Sequence, residues 1–112
     1  MANAYVNGKS VSLTTSLADI YTCPIATEAI VLGIQVANID GTNAADASVA
    51  WTDSSDSDAV TYLVKSAEVA AGEAISAMAP EFKLVLEAGD KIQAMASAAS
   101  DLCISVSVLE VS

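Results

Sequence analysis

The sequence contains no histidine and no arginine, and these two absences exclude several classes of function. Without histidine, neither a Ser-His-Asp triad nor a Cys-His pair can form. Without arginine, the chain lacks the side chain best suited to clamping phosphate and reading guanine. Its four lysines stand against fourteen Asp and Glu residues, a formal net charge of −10. Because nucleic acids and anionic membranes attract basic surfaces, we expect no nucleic-acid partner and no membrane partner.

Glycine and cysteine are also scarce. The five glycines are scattered along the chain and do not form a phosphate-binding loop. Carboxylate pairs could in principle perform glycosidase chemistry, but here they cluster in segments predicted to be solvated turns. We therefore expect no enzymatic activity, no catalytic residue and no cofactor.

The two cysteines, Cys23 and Cys103, do not make a zinc site in a chain without histidine. A disulfide would require neighbouring strands, and we favour free thiols in or near the core. The chain has no apolar run of 18 residues, so we expect no transmembrane helix. The first ten residues lack the pattern of a secretory signal, so we expect folding in a cytoplasm.

One acidic segment is a candidate metal site. Asp53, Asp56 and Asp58, together with backbone carbonyls, could supply the six to eight oxygens that Ca²⁺ takes. The segment has neither the glycine nor the final glutamate of an EF-hand loop, and solvated turns have a similar composition. We favour an ordinary turn, with no metal, over Ca²⁺ binding.

Alternating apolar residues predict an all-β fold. In the stretch from Glu28 to Trp51, one strand alternates Ile30, Leu32 and Ile34, and a second ends at Trp51. The turn signal Asp40–Asn43 separates them, so we predict a hairpin. Trp51 could stack on a sugar, but its spacing from the preceding apolar residues favours the core.

Further strands are predicted at 9–17, 60–65, 82–86, 91–97 and from 102 to the end, with turn signals mostly 8 to 12 residues apart. This spacing is typical of a sandwich. We predict a single antiparallel β-sandwich or barrel (jelly-roll or Ig-like) over residues 1–112, with seven to eight strands and at most one short helical turn, at 72–78. The predicted core is Ile30, Leu32, Ile34, Val49, Trp51, Leu84, Leu86, Ile104 and Val106.

Three segments indicate contact with other chains. Residues 1–8 have few large apolar groups and are interpreted as an N-terminal arm, flexible or ordered only by a partner. The second face of the 28–39 strand is small and uncharged, so we expect a loop, a second sheet or another subunit to cover part of it. The segment from Ala67 to Ala79 is apolar but has few large residues. Exposed apolar surface of this kind predicts a homo-oligomer.

Two groups of residues carry a resemblance to a known family. Tyr21, Cys23 and Pro24 precede the long strand, and Asn38, Asp40 and Gly41 follow it. The later segment 83–97 reads as strand, Glu-x-Gly-Asp turn and strand. Over residues 20 to 110 the chain resembles small all-β virion structural proteins of tailed bacteriophages, of the head decoration or cement type.

The resemblance implies a non-enzymatic structural protein. Head decoration proteins of this kind sit on the outer capsid, frequently as trimers, and brace adjacent capsomers. The implied partners are the major capsid protein or other virion proteins, and the implied location is the outer surface of the virion after synthesis in the host cytoplasm. Tail, neck and fibre modules, which contact virion proteins or a host receptor, use similar domains and are the alternative.

Overall fold

The computed structural model describes residues 3–79 and 82–112. Within them, one turn of 3-10 helix, Ser54–Asp56, interrupts a chain built mainly of β-strands. The strands are β1 Asn3–Ser10, β2 Ala18–Thr22, β3 Glu28–Asn38, β4 Ala45–Asp53, β5 Ala59–Val69, β6 Ala74–Ser76, β7 Leu84–Leu86, β8 Lys91–Ala96 and β9 Leu102–Val111. No helix in the described ranges is long and apolar enough to span a membrane.

The strands form two sheets, and the pairings within them are antiparallel. Sheet A has the order β1-β9-β3, and both β6 and β7 pair with the remaining side of β3. Sheet B has the order β2-β8-β4-β5. The predicted antiparallel β-sandwich is confirmed, with nine strands in the described residues where seven or eight were predicted.

Strand β9 shows how alternation builds the core between the sheets. Leu102 and Val108 are fully buried, and so are the two even-numbered residues between them. Ser105 and Ser107, at intervening positions, are exposed. Because side chains alternate between the two faces of a strand, β9 turns an apolar face towards sheet B and a mostly polar face away from it.

The connection between β3 and β4 is not the predicted hairpin. β3 belongs to sheet A and β4 to sheet B, so the chain crosses between the sheets. The buried Asn38 at the end of β3 fixes this crossing. Its Nδ2 donates to the carbonyl oxygens of Asn43 and Val69, each at 2.9 Å, and its Oδ1 accepts from the backbone N–H of Asp40 at 2.8 Å. The turn signal was correct, but the turn connects strands of different sheets. Each of these strands buries one face in the same core.

Partway along strand β3, the set of alternate residues that faces the core changes. Its register with β9 shifts between Val31 and Gly33, which is the signature of a β-bulge. Val31 is buried before the bulge and Ile34 after it. The core prediction is wrong for Leu32, which is 46% exposed, and for Ile30, which is half-buried outside the core cluster. One extra residue in a strand reverses its alternation.

The other predicted core residues lie in the core or against it. Trp51 is half-buried and packs on the core cluster, which supports its interpretation as a packing residue. The small second face of β3 was predicted to be covered, and in its first half the core of the sandwich covers it: Ala29 and Val31 are fully buried. The remaining buried residues of the prediction are Ile34, Val49, Leu84, Leu86, Ile104 and Val106.

The predicted N-terminal arm is a strand of the sheet over its described part. β1 pairs with β9 from Asn3 opposite Val111 to Ser10 opposite Ile104. An antiparallel ladder is held by backbone hydrogen bonds, so it needs no large side chains, and low apolar content was a poor guide. Residues 1 and 2 of the predicted arm lie outside the described residues. The strand predicted at 9–17 falls mostly in the loop between β1 and β2.

The helical turn predicted at 72–78 is replaced by strand. β5 continues to Val69 through a left-handed Ser66, whose backbone N–H donates to Ser48 Oγ at 2.9 Å. Gly72, with a φ of +73°, then makes the turn into β6. Glycine adopts this conformation without steric cost, so it marks a strand-to-strand turn here. The short helical turn that does form is Ser54–Asp56.

We predict opposite outcomes for two neighbouring apolar truncations in β3. Ile34→Ala should lower the free energy of unfolding by about 2–5 kcal/mol, because it empties a fully packed site. Leu32→Ala should cost less than about 1 kcal/mol, because its side chain is 46% exposed. Urea denaturation of both variants measures this difference. Equal losses would contradict the position of the bulge.

Candidate assembly surface

The three carboxylates weighed as a Ca²⁺ site lie around the 3-10 turn. Asp53 caps this turn: its Oδ1 accepts from the backbone N–H of Ser55 at 3.0 Å and from Ser55 Oγ at 2.7 Å. Asp56 and Asp58 are exposed. Within residues 3–79 and 82–112, no group of three or more His, Cys, Asp or Glu side chains could hold a metal ion. The Asp53 carboxylate is engaged in capping the turn.

Cys23 and Cys103 are free thiols, as predicted. Cys23 is buried, and its Sγ donates to the carbonyl oxygen of Thr27 at 3.3 Å. Burial raises the pKa of this thiol, and nearby carboxylates, Glu110 first among them, raise it further. Cys103 lies on β9 about 23 Å along the strand from Glu110, so the two sulfurs are far apart.

A buried carboxylate holds the loops at one end of the sandwich. Asp90 is 1% exposed. Its Oδ1 accepts from the backbone N–H of Ser54 at 3.0 Å and from Ser54 Oγ at 3.1 Å, and its Oδ2 accepts from the backbone N–H of Glu87 at 2.9 Å. Because Ser54 follows β4 and Glu87 follows β7, the carboxylate joins loops that leave different sheets.

These contacts set the ionisation of Asp90. Burial alone raises the pKa of its carboxyl, but the hydrogen bonds from Glu87 and Ser54 outweigh it and the net pKa is lowered. The indole N–H of Trp51 also favours the charged form, although this buried group makes no hydrogen bond of acceptable geometry. The arrangement is structural: the carboxylate accepts three hydrogen bonds from groups of its own chain.

A second polar contact joins the sheets directly. The hydroxyl of Tyr21 on β2 donates to Glu110 Oε2 on β9 at 2.5 Å. Burial raises the pKa of Tyr21, and the hydrogen bond to the carboxylate raises it further. Tyr21 therefore remains a neutral donor, and the pair closes the β1–β2 side of the sandwich.

Apolar side chains form a row across the outer face of sheet A. Strand register puts Tyr5 opposite Leu109, and Ile30 lies opposite both Leu109 and Val85. Since their neighbours along each strand point into the core, all four side chains point away from it. Leu32, at the bulge, adjoins them. We call these five residues the apolar row. Tyr5 is 80% exposed and Val85 52%.

Charges flank the apolar row and are separated by sign. Glu28 on β3 and Glu87 after β7 lie on one side of the row. Lys9 on β1 and Lys83 before β7 lie on the other side. These four charges cancel, so they contribute nothing to the chain's net charge of −10.

A shallow groove of about 390 Å³ borders the apolar row on the lysine side. Its lining includes Gly33 and the hydroxyl side chains of Ser105 and Ser107, and no charged residue. Nothing lies within 4 Å of where a Cβ on Gly33 would be. Small side chains here permit close approach by another surface.

The outer face of sheet B is different, because its polar groups pair with one another. Lys91 Nζ lies 3.4 Å from Asp19 Oδ2, and Gln93 Nε2 donates to Asp19 Oδ1 at 2.8 Å. The hydroxyl of Thr52 donates to Gln93 Oε1 at 2.5 Å. Sheet B also has exposed apolar residues, Val60 at 45% and Tyr62 at 39%, both on β5. The apolar row on sheet A is the more exposed, with Tyr5 at 80% and Val85 at 52%, so it is the stronger candidate contact surface.

Sequence reasoning missed the apolar row. It assigned Ile30 and Leu32 to the core and treated Tyr5 as part of an arm. One signal was available: Gly33 interrupts a strand of large apolar residues, and a glycine inside a strand often marks a bulge. The alignment of β1 and β7 with this row could not be read from local sequence.

No protein-family model and no curated protein matches the chain. It is similar to a solved structure of Bacillus endospore appendages, described as a novel family of disulfide-linked pili: identity is 14%, the TM-score is 0.56, and the match covers 97% of this chain and 85% of the other. Two structures of a pentameric capsid protein from metagenomic phage sequences also match, at 20% and 18% identity and a TM-score of 0.40. Each match covers 93% of this chain, which spans 59% and 60% of the capsid chains. The appendage protein shares the fold.

We predict that Asp90 stabilises the protein in a pH-dependent way. Asp90→Asn should lower the free energy of unfolding at pH 7 by about 1–3 kcal/mol, because the amide cannot accept all three hydrogen bonds. The folded pKa of Asp90 lies below its unfolded value of 3.8, so its contribution is present above that value and is lost as the pH falls through the folded pKa.

The test is urea denaturation of the wild type and Asp90→Asn from pH 7 to pH 2. Their difference should shrink towards acid pH. Asp58→Asn is the control, because this exposed side chain lies on the neighbouring turn. A difference that is constant with pH would contradict the assigned role.

Proposed function

We propose that this chain is a non-enzymatic bacteriophage virion structural protein, most specifically a head decoration protein that binds the outer capsid and stabilises it. The observation that carries the proposal is the apolar row on an otherwise acidic sandwich. The row is four strands wide, and its residues Tyr5, Leu32 and Val85 are exposed. Exposed apolar surface of this kind is costly in water and is typical of a contact surface. The class of protein named in the proposal comes from the resemblance of residues 20 to 110 to phage virion proteins.

Charge supports an outer position in the virion. A chain with a net charge of −10 and no arginine is repelled by packaged nucleic acid. The same charge keeps a protein soluble at the high copy number that capsid decoration requires. The proposed location is the outer surface of the virion, after synthesis in the host cytoplasm, with the major capsid protein as a partner.

The fold is compatible with assembly. A sandwich of this fold occurs in a spore appendage described as a pilus, which supports a structural role. The polar clusters described above, around Asp90 and around Tyr21, hold the chain together through internal hydrogen bonds. No cofactor and no enzymatic role is included in the proposal. It includes a homo-oligomer, for which the family resemblance implies a trimer.

The proposal predicts that the protein is an abundant component of purified virions. Quantitative mass spectrometry should find it in a fixed ratio to the major capsid protein. Virions made without it should lose their DNA at a lower temperature, and added purified protein should restore them. Absence from virions, or equal heat resistance without it, would refute the proposal. Immunogold labelling at the tail or neck would support the alternative location.

A further inference from the structure

We infer that the groove on the outer face of sheet A binds a neutral oligosaccharide chain, with the ring of Tyr5 as a stacking platform at one end. The groove holds about 390 Å³, a volume within the range of small-molecule sites. The inference concerns the isolated chain and goes beyond the proposed function, on which it does not depend. It rests on the chemistry of the side chains in and beside the groove.

Polar and small side chains form the floor of the groove. Gln35 lies opposite Ser105 on β9 and opposite Ser76 on β6. Gly33 lies opposite Ser107. Because the residues between them on β3 and β9 are buried in the core, these residues face outwards. Gly33 adds no side chain, so the floor is open beside the two serines of β9.

Several of these polar groups have hydrogen-bonding capacity to spare. Gln35 and Ser105 are exposed, and no hydrogen bond within residues 3–79 and 82–112 engages the side chain of either. Ser107 Oγ donates to Asn7 Oδ1 at 2.9 Å, which orients the Asn7 amide and leaves its two N–H groups for a ligand. Amides and hydroxyls together present both donors and acceptors. This mixture matches the hydroxyl groups of a sugar, each of which donates and accepts.

The charge of the groove favours a neutral ligand. No charged residue is part of its lining. Lys9 lies opposite Ser105 on β1, but outside the lining, and the net charge of −10 repels anions from the chain as a whole. A cationic ligand would gain more from the acidic turn at Asp53, Asp56 and Asp58.

The position of the groove within the sheet argues against a peptide strand as its ligand. A peptide adds to a sheet by pairing with the open backbone of an edge strand. The groove lies over β9, which pairs with β1 and β3, and over the part of β3 that pairs with β9 and β6 at Gln35. Backbone groups there are already used in the ladders, so side chains are the groups left to bind a ligand.

Tyr5 supplies an apolar surface next to these polar groups. It is 80% exposed and lies two residues before Asn7 on the same face of β1, about 6.6 Å along the strand. The face of an aromatic ring is electron-rich and attracts C–H groups, which a pyranose ring presents on its flat side. Strand spacing and register put Tyr5 roughly 16 Å from Gln35. The expected ligand is therefore a chain of several sugars, since a single ring does not reach both.

The groove is shallow, so binding should be weak. Each exposed hydrogen bond contributes little, because water competes for the same groups. A few such bonds and one stacked ring correspond to a dissociation constant on the order of 1 mM.

NMR titration of the full chain tests the inference. The neutral probes are cellohexaose, maltohexaose, mannohexaose and chitohexaose, and hexagalacturonate is the charged comparison. At least one neutral probe should shift the backbone amide signals of Gly33, Gln35, Ser105 and Ser107 in a saturable way. No shift of these signals by any neutral probe at about 10 mM would overturn the inference. Shifts confined to another part of the protein, or equal binding of hexagalacturonate, would do the same.

Two substitutions with matched controls locate the ligand. Tyr5→Ala should weaken binding about fivefold, whereas Tyr62→Ala, which removes a 39% exposed tyrosine of sheet B, should leave it unchanged. Gly33→Leu should abolish binding by filling the groove, and Gly41→Leu, in the loop after β3, should not.

Both glycines have open space where a Cβ would stand, so both leucine variants should fold, which thermal melting checks. Binding that survives either Tyr5→Ala or Gly33→Leu unchanged would contradict the assigned site. None of these results decides the virion test of the proposed function, which has its own answer.

Discussion

The bulge in β3 is the constraint on which the rest of the structure depends. β3 is the central strand of sheet A and contacts β9, β6 and β7. Without the register shift after Val31, the strand could bury either its first half or its second half against sheet B, but not both. With it, Ala29 and Val31 enter the core from one half and Ile34 and Val36 from the other.

The same bulge produces the apolar outer face. It turns Ile30 and Leu32 outwards, opposite Leu109 and Val85, residues that β9 and β7 already present on that side. Core packing and surface patch are thus two consequences of one inserted residue. A strand without the bulge could not supply the buried Ile34 and the exposed Leu32 from one continuous alternation.

Much of the fold could be predicted from local pattern. The strict alternation in β9 and the turn glycines Gly72 and Gly89 predict strands and turns correctly, because these signals depend on neighbouring residues alone. The pairing of strands could not be predicted in this way. Asn38 and Asp90 look like ordinary turn residues in sequence, yet each is buried and satisfies backbone groups from distant segments. The apolar row was missed for the same reason, since Tyr5 and Val85 align only through β9 and β3.

The negative charge of the chain opposes contact between copies, whereas its exposed apolar side chains favour contact with another surface. The two kinds of side chain lie in different parts of the sandwich. Carboxylates concentrated in turns, such as Asp56 and Asp58, act at a distance to keep copies apart, and salt weakens that action. Apolar contact acts only at close range and needs a surface where charges cancel. The outer face of sheet A combines an apolar row with balanced charges of both signs. Contact with another surface would remove these apolar side chains from water, whereas the acidity of the rest of the chain opposes contact between two copies.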